Sequence, residues 1–467
     1  MLEELMNGAV SVEDGRIAVR NEAAIATEEM DALVRAAVFG DQGARDNARW
    51  LIWEIGQAVG VIPSSIHDLY IARGRGETGG YTVPAMNVRG MAYDTARSIF
   101  RTAIKLDAGA FICEIARSEI AYTDQRPAEY VAVIMAAALR EGWRGPLFIQ
   151  GDHFQVSAKK FAVDPETEVD AVKQLAREAI AAGFYNIDID TSTLVDLSKA
   201  TLPEQQRANY EQAADIAAFV RSEQPDGVNI SLGGEIGEVG TENSTVEELH
   251  AYVQGFNATL ERVAPGVAGL SKISVQSGTT HGGVVLADGT IADVQIDFGT
   301  LRRLSKVALG EYGLAGAVQH GASTLPDTAF HNFPGTETCE IHLATNFQTM
   351  LYDRLPEALR GEVYEWLREN ANDERKLSDS DEQFFYKTRK KALGPFKRRC
   401  WDLDESAKRE LAAAYDEKFT FLFTQLGIAN TASAVAKHVT PVVQHRTRPH
   451  EGMVSVASAP DDADLSD

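Results

Sequence analysis

"TVPAMNVRGMAYDTARSIFRTAIKLDAGAFICEIA" (residues 82–116) shows the pattern from which the fold class is predicted. Two short apolar runs, 82–88 and 110–116, flank a segment in which apolar residues recur at helical spacing. Short apolar runs with β-branched residues predict buried strands, and the segment between them predicts an amphipathic helix. The stretch therefore predicts a strand–helix–strand unit of parallel type.

The same alternation continues to about residue 346. Further strand-like runs are LFIQGD (147–152), YNIDID (185–190), NISLGGEI (229–236), KISVQSG (272–278), AGAVQHG (315–321) and CEIHLAT (339–345). Eight strand–helix units in one region predict an α/β protein with a (β/α)8 TIM barrel. An open, doubly wound parallel sheet is the alternative.

The flanking regions have a different character. Residues 1–78 predict a helical N-terminal extension, residues 79–346 the barrel, residues 347–440 a helical C-terminal region, and residues 441–467 a disordered acidic tail. The last prediction follows from the small and acidic residues of SAPDDADLSD, which bury too little apolar surface to fold.

Composition excludes several classes of protein. A net charge of −23 argues against a nucleic-acid-binding protein, which normally presents a basic face. No run approaches the ~18 apolar residues that a membrane-spanning helix needs, and the first residues lack the basic and apolar segments of a secretory signal. With only three scattered cysteines, the chain is expected in the cytoplasm.

Histidines follow several of the predicted strands. In a (β/α)8 barrel the catalytic residues lie at the C-terminal ends of the strands. His153, His281 and His320 fall at such ends, each within two residues of a glycine, and Asp152 precedes His153. Three imidazoles on one face predict a zinc site with an open position. The alternative for each is an ordinary hydrogen-bonding residue or a polar strand cap.

Glycines and hydroxyl groups beside these histidines predict an anion site. HGG (281–283) and HGAS (320–323) leave backbone N–H groups bare, and Ser323 and Thr345 add hydroxyl groups. Barrels often bind phosphate at the loops after the last two strands. Turn formation alone is the competing explanation for the glycines.

The motifs IQGDHF, GGEIGEVG, SGTTHGG, VQHGASTLPD and EIHLATNF occur in this order between residues 149 and 347. The ordered set resembles the class II, zinc-dependent fructose-bisphosphate and tagatose-bisphosphate aldolases over roughly residues 80–346. The resemblance implies that His153, His281 and His320 bind the catalytic zinc or another divalent metal. It also implies that Asp152 moves a proton at the substrate carbinol.

The resemblance implies further roles. Asp190 and Glu235 match carboxylates of a second metal position, and Glu242, near Gly240 on the loop after strand 5, is the expected acid that protonates carbon. Six residues match substrate or phosphate contacts: Gly282, Gly321, Ser323, Thr345, His342 and Asn87. The family's phosphate pocket often also holds a monovalent cation, Na⁺ or K⁺.

The expected activity is retro-aldol cleavage of fructose 1,6-bisphosphate to dihydroxyacetone phosphate and glyceraldehyde 3-phosphate. Val285 stands where the family commonly has a lysine near the phosphate, which favours a second hypothesis of another ketose 1-phosphate or tagatose bisphosphate. A non-catalytic partner subunit of an aldolase is a third, and a metal-dependent isomerase is a weaker fourth. The resemblance also implies a homo-oligomer.

Overall fold

The computed structural model describes residues 6–13, 16–237, 242–278, 286 and 296–449. Its N-terminal region contains the following elements: strands β1 (Val10–Glu13), β2 (Arg16–Val19) and β3 (Val61–Ser64), and helices α1 (Glu22–Ile25), α2 (Glu28–Phe39), α3 (Gln42–Val59) and α4 (His67–Gly74). β1 and β2 form an antiparallel hairpin, and β3 pairs with a barrel strand. The prediction of helices alone for residues 1–78 was therefore wrong for these three strands. Each has only four residues, which is too short for a periodic signal.

Eight parallel strands close into a barrel. They are β4 (Val83–Asn87), β5 (Ile112–Ala116), β6 (Gly145–Gln155), β7 (Asn186–Asp190), β8 (Ser231–Glu235), β9 (Lys272–Ser274), β10 (Ala317–Gln319) and β11 (Glu340–Leu343). Each pairs with its sequence neighbours, and β11 also pairs with β4 to complete the ring. The predicted (β/α)8 barrel is confirmed, and the pairing of the first with the last strand excludes the open sheet.

Helices cover the outside of the barrel. They are α5 (Ala92–Leu106), α6 (Arg117–Tyr122), α7 (Pro127–Glu141), α8 (Ala158–Val163), α9 (Pro165–Ala182), α10 (Leu202–Gln205), α11 (Arg207–Glu223), α12 (Val246–Val263), α13 (Phe298–Tyr312) and α14 (Asn332–Gly335). Local sequence sets their ends. α9 begins after Asp164, whose side chain accepts a hydrogen bond from the Thr167 N–H, and it ends at Gly183 with φ +113°.

The N-terminal end of the barrel is covered by α4. Its Arg73 Nε donates to the Ala315 carbonyl at 2.9 Å, and His67 Nδ1 lies 2.8 Å from Ser271 Oγ. The Tyr70 hydroxyl donates to Glu340 inside the barrel. These contacts lie at the N-terminal end of the barrel, and barrel enzymes place their chemistry at the opposite, C-terminal end.

The C-terminal region is helical. Its helices are α15 (Thr345–Arg354), α16 (Glu357–Asn370), α17 (Asp381–Thr388), α18 (Lys397–Trp401), α19 (Glu405–Gln425) and α20 (Ala432–His438). α19 packs against α5, where Arg101 Nη2 lies 2.8 Å from Asp416 Oδ1. The Tyr415 hydroxyl donates to the Phe347 carbonyl at 3.0 Å.

Residues 441–449 contradict the predicted start of the disordered tail. This segment lies along α3, where the Trp53 indole N–H donates to the Gln444 carbonyl at 2.6 Å. Glu54 accepts from the Arg446 N–H and lies 2.7 Å from His445 Nδ1. The guanidinium carbon of Arg446 stands 3.3 Å from the Trp53 ring centroid. The polar composition of the segment predicts disorder. The contacts could not be predicted from it, because their partners lie almost 400 residues away in sequence.

Candidate active site

An irregularity in β6 positions the adjacent acid and imidazole. The register of β6 against β7 shifts between Gly151 and Phe154, and His153 between them has a left-handed φ of +39°. A side chain at position 151 would clash, since a Cβ there would lie 2.4 Å from the Phe154 ring. Bulges re-aim side chains, and strained non-glycine residues concentrate at functional sites. The local sequence thus turns Asp152 and His153 out of the regular strand pattern.

Asp152, His153 and His320 form a set of potential metal ligands. Their donor atoms lie within 4.8 Å of one another, and the two imidazole centroids are 4.3 Å apart. His153 Nδ1 lies 2.9 Å from Asp190 Oδ2, and His320 Nε2 lies 2.9 Å from Ser274 Oγ. A protein oxygen on one nitrogen of the ring is the usual arrangement of metal-binding histidines. The donor set therefore fits a divalent metal such as zinc.

The two predicted further carboxylates lie beside His153. Asp190 Oδ2 also accepts from Gln155 at 2.7 Å, and its Oδ1 accepts from the Ser192 hydroxyl at 2.6 Å. Burial raises the pKa of Asp190, but the hydrogen bond and charge of His153 outweigh it and hold the pKa below its ordinary value. Glu235 Oε2 is 3.6 Å from His153 Nδ1. Burial, followed by the charge of Asp190, raises the pKa of Glu235 to about 8.

His342 lies inside the barrel among carboxylates. Its Nδ1 is 3.1 Å from both Glu114 Oε1 and Asp152 Oδ1, and its Nε2 is 2.8 Å from Glu340 Oε1. The ring centroid is 4.1 Å from that of His320. Burial favours the neutral ring, but the Glu114 and Asp152 carboxylates outweigh it and raise the pKa of His342 well above its ordinary value. Its predicted role as a substrate contact remains a prediction.

A buried lysine lies below His342. Lys272 Nζ is 2.8 Å from Gln150 Oε1, 2.9 Å from Asp188 Oδ1, and also contacts Glu340. Burial lowers the pKa of Lys272, but Asp188 and Glu340 outweigh it and raise the pKa above its ordinary value. Reasoning from strand ends missed Lys272, Gln150 and Glu340. The available signal was a charged residue within a short, otherwise apolar strand, which is costly without a partner.

Three predicted phosphate contacts lie near one another. Gly321 has φ +74° and precedes the 3₁₀ turn Ala322–Thr324. Ser323 Oγ in this turn accepts from the Ala344 N–H at 2.5 Å, and Thr345 follows as the first residue of α15. The first N–H groups of a helix attract anions. The role of these three residues as phosphate contacts stays a prediction.

Asn87 ends β4 and is buried. Its Nδ2 donates to Glu119 Oε2 at 2.5 Å, and its Oδ1 accepts from Arg89 Nε at 3.3 Å. Arg89 and Glu119 also form an ion pair. Asn87 is thus part of a polar group at the C-terminal end of the strand, and its contact with substrate stays a prediction.

Of the remaining predicted residues, one is exposed and two lie outside the described residues. Glu242 is exposed, and within the described ranges no hydrogen bond or ion pair joins it to Asp152 or His153. His281 and Gly282 lie outside the described residues. Their roles therefore rest on the sequence alone.

The family model for "Fructose-bisphosphate aldolase class-II" matches residues 74–399, well over half of the chain. The chain belongs to this family. The matched range includes the barrel, the Asp152–His153–His320 group and the C-terminal helices α15, α16 and α17. Family membership identifies the chain as a lyase-type enzyme of the aldolase class.

Solved structures share the fold at low identity. A probable tagatose 6 phosphate kinase from Sinorhizobium meliloti 1021 is 16% identical with a TM-score of 0.54, over 76% of this chain and 98% of that one. The fructuronate-tagaturonate epimerase UxaE from Cohnella laeviribosi is 12% identical with a TM-score of 0.51, over 90% of each chain. Fructose-bisphosphate aldolase from Campylobacter jejuni is 15% identical with a TM-score of 0.47, over 79% and 97%. These similarities concern the fold alone.

Among the described residues, none of the helices combines the length and the apolar character that crossing a lipid bilayer requires.

Proposed function

We propose that this chain is a divalent-metal-dependent aldolase that cleaves a phosphorylated ketose. Fructose 1,6-bisphosphate is the default substrate, with dihydroxyacetone phosphate and glyceraldehyde 3-phosphate as products. The observation that carries this proposal is the convergence of Asp152, His153 and His320, whose donor atoms lie within 4.8 Å at the open end of the barrel. Membership of the class II aldolase family supports the reaction class.

The donor set favours zinc over other divalent metals. His153 and His320, together with His281 by resemblance, would hold the ion, with Asp190 orienting His153 through a 2.9 Å hydrogen bond. When bound, such a cation supplies Lewis-acid stabilisation of the charge that develops on the hydroxyketone oxygens. Both oxygens of Asp190 already accept hydrogen bonds. We therefore favour Asp190 as an orienting residue and Glu235 as the candidate for a further ligand.

Asp152 is the proposed base. It takes the proton of the C4 hydroxyl as the C3–C4 bond breaks, so that the O–H electron pair forms the carbonyl of the released aldehyde. The C3–C4 pair remains on the triose fragment, and C3 then accepts a proton from an acid. Glu242 is the proposed acid, which requires its exposed loop to approach the barrel mouth when substrate binds.

The corner formed by Gly321, Ser323 and Thr345 is the proposed site for the substrate's C1 phosphate. The N-terminus of α15 and the bare N–H groups near Gly321 supply its donors. The resemblance to the family implies that Gly282 and a monovalent cation, Na⁺ or K⁺, also belong to this pocket. Asn87 and His342 are retained as proposed substrate contacts.

The decisive experiment measures triose phosphate release from fructose 1,6-bisphosphate with and without a chelator. Asp152→Asn should lower kcat by about 100-fold or more, the usual size of a lost general base. His320→Asn should lower both activity and metal content. His331→Asn is the matched control, because His331 is exposed and belongs to none of the potential ligand groups among the described residues. Full activity in chelator, or in His320→Asn, would refute the proposal.

One sequence observation favours another substrate with the same chemistry. Val285 replaces a lysine that the family commonly has near the phosphate. A panel of fructose 1,6-bisphosphate, tagatose 1,6-bisphosphate and ketose 1-phosphates compares kcat/KM and separates these substrates. A non-catalytic partner subunit would instead purify without metal and cleave none of them.

We also propose a cytoplasmic homo-oligomer of two or more subunits that acts in sugar-phosphate metabolism. The proposal follows the family, and light scattering of the purified chain measures its mass directly. A monomer at micromolar concentration would contradict the oligomer and leave the aldolase proposal intact.

A further inference from the structure

A second group of potential metal ligands lies more deeply in the barrel than His153. It consists of Glu114 on β5, Asp152 on β6 and His342 on β11, whose donor atoms lie within 4.8 Å of one another. Glu114 is completely buried and His342 is 5% exposed, whereas the His153 side chain is 19% exposed. The group therefore stands behind the first ligand set and shares only Asp152 with it.

The spacing within this group matches ligands around one ion. His342 Nδ1 is 3.1 Å from Glu114 Oε1 and 3.1 Å from Asp152 Oδ1. Two donor atoms bound to one ion at about 2.1 Å stand about 3.0–3.5 Å apart, depending on the angle between them. Within the described part of the chain, neither Glu114 Oε1 nor either ring nitrogen of His342 has a hydrogen bond of acceptable geometry. Buried polar atoms without a hydrogen bond destabilise the folded protein, and a bound cation would give the ligand atoms among them a partner.

Charge balance favours a cation at the same place. Lys272 lies 2.9 Å from Asp188 Oδ1 and also contacts Glu340, so its single positive charge is shared by that pair. It makes no ion pair with Glu114 or Asp152 among the described residues. Glu114 and Asp152 are two buried carboxylates that face the single positive charge that His342 can carry, and a divalent cation would balance both.

We propose that Glu114, Asp152 and His342 hold a second divalent cation, with Asp152 shared between the two positions. One imidazole nitrogen and two carboxylate oxygens suit Zn²⁺, Mn²⁺ or Co²⁺. Shared carboxylates commonly join ions about 3.5–4 Å apart in two-metal sites. His342 stands where the resembled family usually has an asparagine, which is a weaker ligand for these ions. The inference does not depend on the substrate or on the aldolase reaction.

The test counts metal ions. The purified full chain is saturated with Co²⁺, passed through a desalting column and analysed for cobalt per chain. Wild type and the His331→Asn control should hold two equivalents. His342→Asn and Glu114→Gln should each lose the ion of the second position and hold one equivalent. His320→Asn should lose the ion of the first position and also hold one equivalent. Far-UV circular dichroism and the remaining equivalent show whether each variant is folded.

A second measurement is independent of stoichiometry. With Mn²⁺, the wild type should show the electron paramagnetic resonance signal of two coupled ions, and His342→Asn should show that of one isolated ion. One equivalent in both wild type and His342→Asn would overturn the inference and would mean that His342 serves only as a charged hydrogen-bonding residue. Two equivalents without aldolase activity would uphold this site while refuting the proposed function.

Discussion

His67 is a buried histidine whose ionisation opposes folding. It lies at the start of α4 on the closed end of the barrel, away from both proposed metal positions, with Nδ1 2.8 Å from Ser271 Oγ. Burial, followed by the positive charge of Arg221, lowers the pKa of His67 from 6.5 to about 4. The folded protein thus keeps this ring neutral at pH values where the unfolded chain protonates it.

The first prediction concerns the pH dependence that His67 creates. Between pH 6.5 and about 4 the unfolded state binds more protons, so stability rises with pH and falls on acidification. The contribution lost across this window is on the order of 3 kcal/mol. Urea unfolding of wild type and His67→Asn at several pH values should give a shallower pH slope for the variant. Equal slopes would contradict the assignment.

At the scale of the element, α3 is contacted by residues that lie far away in the sequence, because residues 441–449 cover it. Glu54 is 1% exposed, and its oxygens contact only this segment among the described residues. The Trp50 indole N–H donates to the Arg446 carbonyl at 2.9 Å, as Trp53 does to Gln444. The segment therefore supplies partners for three buried polar groups of one helix.

The second prediction compares two truncated chains. A chain ending at residue 440 should lose about 3 kcal/mol of unfolding free energy, because Glu54 loses its buried partners. A chain ending at residue 449 retains every contact described above and serves as the control. Urea unfolding followed by tryptophan fluorescence measures both chains. Equal stability of the two chains would show that the segment does not stabilise α3.

At the scale of the whole molecule, the barrel was predictable because each strand–helix unit is encoded locally. The helix α9 carries its own start and stop signals at Asp164 and Gly183, and β4 is a continuous buried run. The interior network was not predictable. Lys272 and Glu340 lie 68 residues apart and meet only when the barrel closes. The closeness of His153 and His320 could be predicted because both lie at strand ends, where one rule applies to every strand.

The last prediction concerns metal and the stability of the whole barrel. Ions bound only by the folded state stabilise it by RT ln(1 + [L]/Kd), or about 4 kcal/mol at a free concentration 1,000 times Kd. Chelation should therefore lower the thermal unfolding midpoint, and added Zn²⁺ should restore it. His320→Asn and His342→Asn should each show a smaller response, because each lacks one ligand from a different strand of the same ring, whereas His331→Asn should respond as wild type. If the midpoint is unchanged by chelation, the carboxylates around His153 and His342 are balanced by protons instead, and the barrel needs no ion to fold.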